Sequence, residues 1–165
     1  MSSIRKLINQ TAIYGTSSII GRFLNFLLTP LYALQFSNEQ YGIITEMYAY
    51  VAFLVVFLTY GMETAFFRFS TTNKEGKINI YSNTLYSLIT TSAIFVAMAT
   101  IFSQNIADWL KYPNHKEYII WFSMIVSLDA VSSIPLAKLR LQEKAKKFAL
   151  VNLLNVGVNI FLNLF

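Results

Sequence analysis

Cysteine is absent from this chain of 165 residues, histidine occurs once, and charged residues make up only 13% of it. The first absence excludes disulfide staples and cysteine-ligated metal sites. His115 stands between Asn114 and Lys116 with no aspartate or cysteine set beside it, so it reads as a solvated loop residue and not a metal ligand. The six glycines form no phosphate-cradling loop, and neither a nucleophile elbow, a zinc pattern nor a spaced pair of carboxylates occurs. No catalytic residue, cofactor or metal is therefore expected, and the chain does not read as an enzyme. The shortage of charge excludes an ordinary soluble surface, because soluble domains carry about 25% charged residues.

What is present is apolar. Hydrophobic residues make up 55% of the chain and mean hydropathy is +0.49. At roughly 20 apolar residues per crossing of a ~30 Å hydrocarbon core, four to five spans fit. The prediction is an all-α polytopic membrane helix bundle, with spans at about 11–36, 41–69, 78–107, 117–137 and 148–165. Four of these are complete, and the sequence stops inside the fifth. Pro30 and Pro135 fall near span ends, Pro135 closing the fourth, while Ser37-Asn38-Glu39-Gln40 and Asp108–Lys116 read as polar turns. Met1–Gln10 is a short basic lead without a cleavage pattern, so no secretory signal is expected.

Basic residues are retained on the cytoplasmic side of short loops, which sets an orientation. Arg5, Lys6, Arg68, Lys74, Lys77, Lys138, Arg140, Lys144, Lys146 and Lys147 fall on one side, against Lys111 and Lys116 on the other. The amino terminus is thus predicted cytoplasmic. Trp109, Tyr112, Tyr118 and Trp121 gather at the opposite end, as an aromatic belt would place them. The same asymmetry accounts for the pI of about 9.4. Lys138–Lys147 is short and flanked by spans, so it reads as a retention signal and anionic-lipid contact, not as a nucleic-acid surface.

Within the first span, Thr11, Gly15, Ser18, Arg22, Asn25 and Thr29 recur three and four residues apart and share one helix face. A charge near the bilayer centre costs ~3 kcal/mol, so it faces a bundle interior or a watery cavity. Arg22, with Asn25 and Thr29, is the leading substrate-binding candidate, since the guanidinium fork matches phosphate or carboxylate. A structural Arg paired with an acid of another span is the equal alternative. Glu63 and Arg68 near the inner end of span two read as an ion pair or a gate. Asp129, mid-span beside Ser132 and Ser133, reads as an ion-coupling acid or the partner of Arg22. Thr45, Ala49, Ala52, Thr59 and Glu63 form a small and polar face suited to close packing, and Asn79, Asn83, Tyr86 and Thr90 a stripe suited to interhelical hydrogen bonds. Asn152, Asn155 and Asn159 stripe the fifth span, and Glu46, near the outer surface, reads as hydrated.

Several stretches together resemble the amino-terminal half of the oligosaccharide flippase, or Wzx-type polysaccharide biosynthesis, family of the multidrug/oligosaccharidyl-lipid/polysaccharide exporter superfamily. They are Ser17-Ser18-Ile19-Ile20-Gly21-Arg22 with Pro30-Leu31-Tyr32, then Glu39-Gln40-Tyr41-Gly42, then Gly61-Met62-Glu63-Thr64-Ala65-Phe66-Phe67-Arg68-Phe69, and the basic stretch Leu139–Phe148 leading into Asn152 and Asn155. The resemblance implies two six-helix bundles around a cationic cavity that accepts the diphosphate of a polyprenyl-linked oligosaccharide, in a bacterial cytoplasmic membrane. Arg22 would be a cavity cation, and Glu63 and Arg68 match the family motif. Implied partners are the lipid-linked oligosaccharide, the bilayer and further carboxy-terminal helices, with no nucleic acid. The competing readings are a lipid II flippase or drug/cation antiporter of the same superfamily, or a membrane scaffold subunit without a transport cycle.

Overall fold

The computed structural model describes residues 11–12, 15–16, 19–20, 23, 26, 30, 34–72 and 77–164. Among them every regular element is a helix and no strand occurs; the chain is an all-α membrane helix bundle. Three helical stretches are long and apolar enough to cross a membrane: Gln40–Thr72, Asn79–Ile101 and Lys116–Leu141. Most of the expected first span lies outside the described residues.

Helix α1 runs Asn38–Thr59. The polar turn before it is a capping box: the Gln40 backbone N–H donates to Ser37 Oγ at 3.3 Å, and the Ser37 N–H donates back to Gln40 Oε1 at 3.2 Å. Two orphan donors of the helix start are satisfied by that exchange. The second predicted span is not continuous. Tyr60 and Gly61 both take positive φ, 32° and 74°, and end α1 before α2 restarts at Met62–Thr72. Glu63 stands in the first turn of α2, where the helix dipole favours a negative charge.

Helix α3, Lys77–Ile101, and the short α4, Ser103–Trp109, divide the third predicted span at Phe102. Backbone bonding persists through the bend, from Phe102 N–H to Met98 O and from Ile106 N–H to Phe102 O. Helix α4 closes with Lys111 at φ 67°: Lys111 N–H donates to Asp108 O and Tyr112 N–H to Ala107 O, the paired bonds of a Schellman motif. Helix α5 runs Lys116–Leu141 and contains Pro135, which does not close the span as its sequence position suggested. A proline inside a helix forfeits one backbone bond; in membrane spans neighbouring groups take over the freed carbonyl, and the helix continues. A second Schellman motif stops it, with Glu143 at φ 53° and Lys144 N–H donating to Leu139 O. Helix α6 follows at Ala145–Leu164.

The chain divides into two compact units, Met1–Ile43 with Leu139–Phe165, and Ile44–Lys138. In the first, the Arg140 guanidinium lies 5.8 Å from the Phe148 ring centre across the turn into α6. In the second, α3 is the shared partner. Lys138 Nζ sits 3.6 Å over the Tyr81 ring, the Ser127 hydroxyl donates to Ser92 O at 3.4 Å, and Ala99 clusters with Ala107 and Ile119. Residue number rises along α3 as it falls along α5, so the two run antiparallel in one register. The same holds between α3 and the segment around the break, where Tyr60 Oη meets Ser87 Oγ at 2.7 Å and the Phe66 ring meets Tyr81 edge-on. The break at Tyr60–Gly61 therefore leaves the pairing of α1 and α2 with α3 intact. Phe66, Leu88, Val126 and Ile134 are the largest fully buried side chains.

Candidate functional site

The leading sequence candidates, Arg22, Asn25 and Thr29, lie outside the described residues. The other three are placed but not brought together. Glu63 is half-buried at the start of α2 and Arg68 is exposed further along it. Five residues of helix turn them roughly 140° apart around the axis. Asp129 is exposed on α5 with no hydrogen-bond or ion-pair partner among the described residues. Its neighbour Ser133 turns inward, donating to Ala130 O at 2.7 Å.

Two stripes read from spacing lie outside the packing faces of the described residues. Asn79, Asn83, Tyr86 and Thr90 are all exposed on α3, whose buried face is Thr84, Leu88 and Ser92. Thr45, Ala49 and Ala52 are likewise exposed, and α1 packs through Met47 and Val51. Small size alone does not select a packing face when larger side chains on nearly the opposite face bury more area. Ser70 and Ser92 keep buried hydroxyls without a hydrogen-bond partner in this unit.

At the aromatic end the structure assembles a cluster that the sequence reading missed. Tyr112 Oη donates to Glu46 Oε2 at 2.7 Å and Tyr50 Oη donates to Oε1 at 2.9 Å, so Glu46 is held by two phenols instead of by water alone. The hydrogen bond to Glu46 pushes the Tyr112 phenol above the ordinary tyrosine range, with burial and the nearby negative charge acting in the same direction. Gln104 fastens the same loop, its amide donating to Asp108 Oδ1 and to Pro113 O, both at 2.9 Å. His115 stacks on Tyr118 at 4.7 Å between ring centres, with Nδ1 3.1 Å from Glu117 Oε1. The i,i+4 spacing of Glu46 and Tyr50 is visible in the sequence, whereas the approach of Tyr112 from a distant turn is not.

Beside this cluster is a cavity of about 570 Å³ between α1, α3, α4 and α5, walled by Met47, Val51, Phe95, Met98, Trp109 and Phe122 among others. Tyr50 belongs to both the cavity wall and the Glu46 cluster. No group of three or more His, Cys, Asp or Glu able to hold a metal gathers among the described residues. The arrangement suits binding of an apolar body with a polar tip, and supplies no nucleophile paired with a base.

Compared with known proteins, residues 33–165 match a family profile described as polysaccharide biosynthesis protein. Comparison with curated proteins and with solved structures returns no match.

Proposed function

We propose that this chain, which belongs to the polysaccharide biosynthesis protein family, forms part of a flippase that moves a polyprenyl-diphosphate-linked oligosaccharide across the bacterial cytoplasmic membrane. Its role in polysaccharide biosynthesis is that of a multi-pass membrane protein. The family match over residues 33–165 on a chain with three membrane-length helical stretches is the observation that carries the reading. A hydrophilic glycan on a lipid carrier cannot cross hydrocarbon unaided, and a bundle with a polar interior is what its passage requires.

In this reading Arg22, with Asn25 and Thr29, faces the carrier's cavity and binds the diphosphate. A guanidinium stays charged at every physiological pH and offers paired donors to phosphate oxygens. Asp129 is the ion-coupling acid, because a mid-span carboxyl without a protein partner among the described residues is suited to exchange protons or cations. Glu63 and Arg68, at the restart of the second span, act in gating. The work is binding and alternating access, not catalysis, and the binding site lies between repeated halves as in other repeat-built carriers. An antiporter for organic cations would want an acid-dominated cavity, against which Arg22 weighs.

The test is export of surface glycan by the complete carrier. Arg22→Ala should abolish export while leaving membrane insertion and abundance unchanged, and Arg22→Lys should restore only part of it, because a point charge cannot replace a bidentate fork. Normal export by Arg22→Ala would remove Arg22 from the mechanism.

A further inference from the structure

The apolar cavity and the Glu46 cluster share a wall and make one compartment with two kinds of surface. The cavity lies between three helices of membrane-spanning character, at the end marked by Trp109 and Tyr112. Apolar cavities do not hold water, and its volume of about 570 Å³ falls inside the ~300–1,000 Å³ of small-molecule sites. In a bilayer the apolar body at hand is a lipid chain. The head is selected by the rim.

Glu46 is exposed, and no lysine or arginine among the described residues forms an ion pair with it. A carboxylate has about four lone-pair sites. The phenols of Tyr50 and Tyr112 occupy two, and the others remain on an exposed side chain. A carboxylate held by two tyrosines, with Trp109 exposed on the wall of the adjoining cavity, attracts an ammonium group through charge, N–H donation and the ring faces. It repels a headgroup that is only anionic. Lys111, exposed and next in sequence to Tyr112, supplies a cation on the same turn for the phosphate of a zwitterionic lipid. We infer that this compartment binds one phosphatidylethanolamine-type lipid, with a chain in the cavity and its ammonium on Glu46. The inference stands apart from the flippase reading, since it concerns the aromatic end and uses neither Arg22 nor Asp129.

The experiment uses the full chain purified in detergent and equilibrated with phosphatidylcholine vesicles doped with phosphatidylethanolamine or, separately, phosphatidylglycerol. Lipid retained per protein is read by native mass spectrometry. Phosphatidylethanolamine should be retained roughly fivefold over phosphatidylglycerol, the preference expected of an ammonium on a carboxylate and rings. Glu46→Gln, which keeps the shape and removes the charge, should bring the two lipids level, and Val51→Phe should lower retention of both by filling the cavity. A phosphatidylethanolamine carrying a diazirine on its chain should crosslink to peptides of α1, α3 and α5 from that cavity, a readout that needs no variant to fold. Equal retention of the two lipids by the parent protein, an unchanged preference in Glu46→Gln, or crosslinks mapping elsewhere would each overturn the site. So would an absence of retained lipid, the result expected if another segment of protein fills the cavity.

Discussion

The same substitution, glycine to alanine, should have opposite effects at Gly61 and Gly42. A β-carbon added at either position meets no atom within 4 Å, so packing contributes nothing and only backbone conformation decides. Gly42 lies within α1, where alanine is favoured over glycine by about 0.5–1 kcal/mol because less chain entropy is lost on folding. Gly61 has φ 74°, a left-handed conformation that costs an L-residue about 1–2 kcal/mol, partly offset by the stiffer unfolded chain. Gly42→Ala should therefore stabilise and Gly61→Ala destabilise by about 1 kcal/mol each. The two variants should differ by ~2 kcal/mol, roughly thirtyfold in the unfolding equilibrium, since ~1.4 kcal/mol is a factor of ten. Reversible unfolding in mixed micelles, titrated with a denaturing detergent and followed by near-ultraviolet circular dichroism, reads this directly. Gly157→Ala, in α6 with the same open surroundings, is a second helical control and should follow Gly42→Ala. If Gly61→Ala moved the midpoint in the same direction as the controls, α1 and α2 would have to be one uninterrupted helix, and the account of the break would fail.

Lys111 and Glu143 hold left-handed positions in the two Schellman motifs without the glycine that favours them, so Lys111→Gly and Glu143→Gly should each stabilise the protein by about 0.5–1 kcal/mol in the same unfolding assay. A loss of stability in both would mean that their side chains contribute more than their backbone costs. The raised Tyr112 phenol gives a pH prediction with a definite sign: its hydrogen bond to Glu46 is fully present below the ordinary tyrosine pKa of about 10 and is lost as pH rises through the raised value. In tyrosinate absorbance, taken as the difference between parent and Tyr112→Phe, this phenol should titrate later than an ordinary tyrosine, and Glu46→Gln should bring it back. Titration at the ordinary position in the parent would refute the link.

Fold class was legible because it rests on composition and run length, and both survive any local irregularity. The boundaries were less so. Breaks at Tyr60–Gly61 and Phe102 sit inside the uncharged runs Met47–Met62 and Ile78–Ala107, and a hydropathy pattern carries no information about φ. Gly61 was nonetheless at the head of the stretch that carried the family resemblance, and the structure gives physical reasons for three of its residues: Gly61 takes the left-handed turn, Glu63 opens the next helix, and Phe66 is 2% exposed in the core. Ser37 and Gln40 were read only as a turn, although their spacing is that of a capping box. Glu46 is exposed, as read, but its phenol cluster was missed for a different reason. Its partner Tyr112 arrives from 66 residues away, and no periodicity can announce a contact at that distance.

Two exposed stripes of the second unit change character at one depth. On α3, Asn79, Asn83, Tyr86 and Thr90 continue upward as Ile94, Met98 and Ile101 along one exposed stripe, polar in the basic half and apolar in the aromatic half. On α5 the exposed stripe runs the other way in sequence, from Trp121 and Ile125 to Asp129 and Ser132. The antiparallel register fixed by Tyr81 with Lys138 and Ser92 with Ser127 sets Thr90 level with Asp129, and Ile94 level with Ile125. Two independent helices thus turn from apolar to polar at the same height. Lipid cannot be the neighbour on both sides of that line: an aspartate left against acyl chains costs ~3 kcal/mol, and the amides of Asn79 and Asn83 would go unsatisfied. The aromatic half of these faces suits hydrocarbon. The basic half needs water or polar side chains from beyond the described residues, which is the surface a chamber open toward the basic side of the membrane would present.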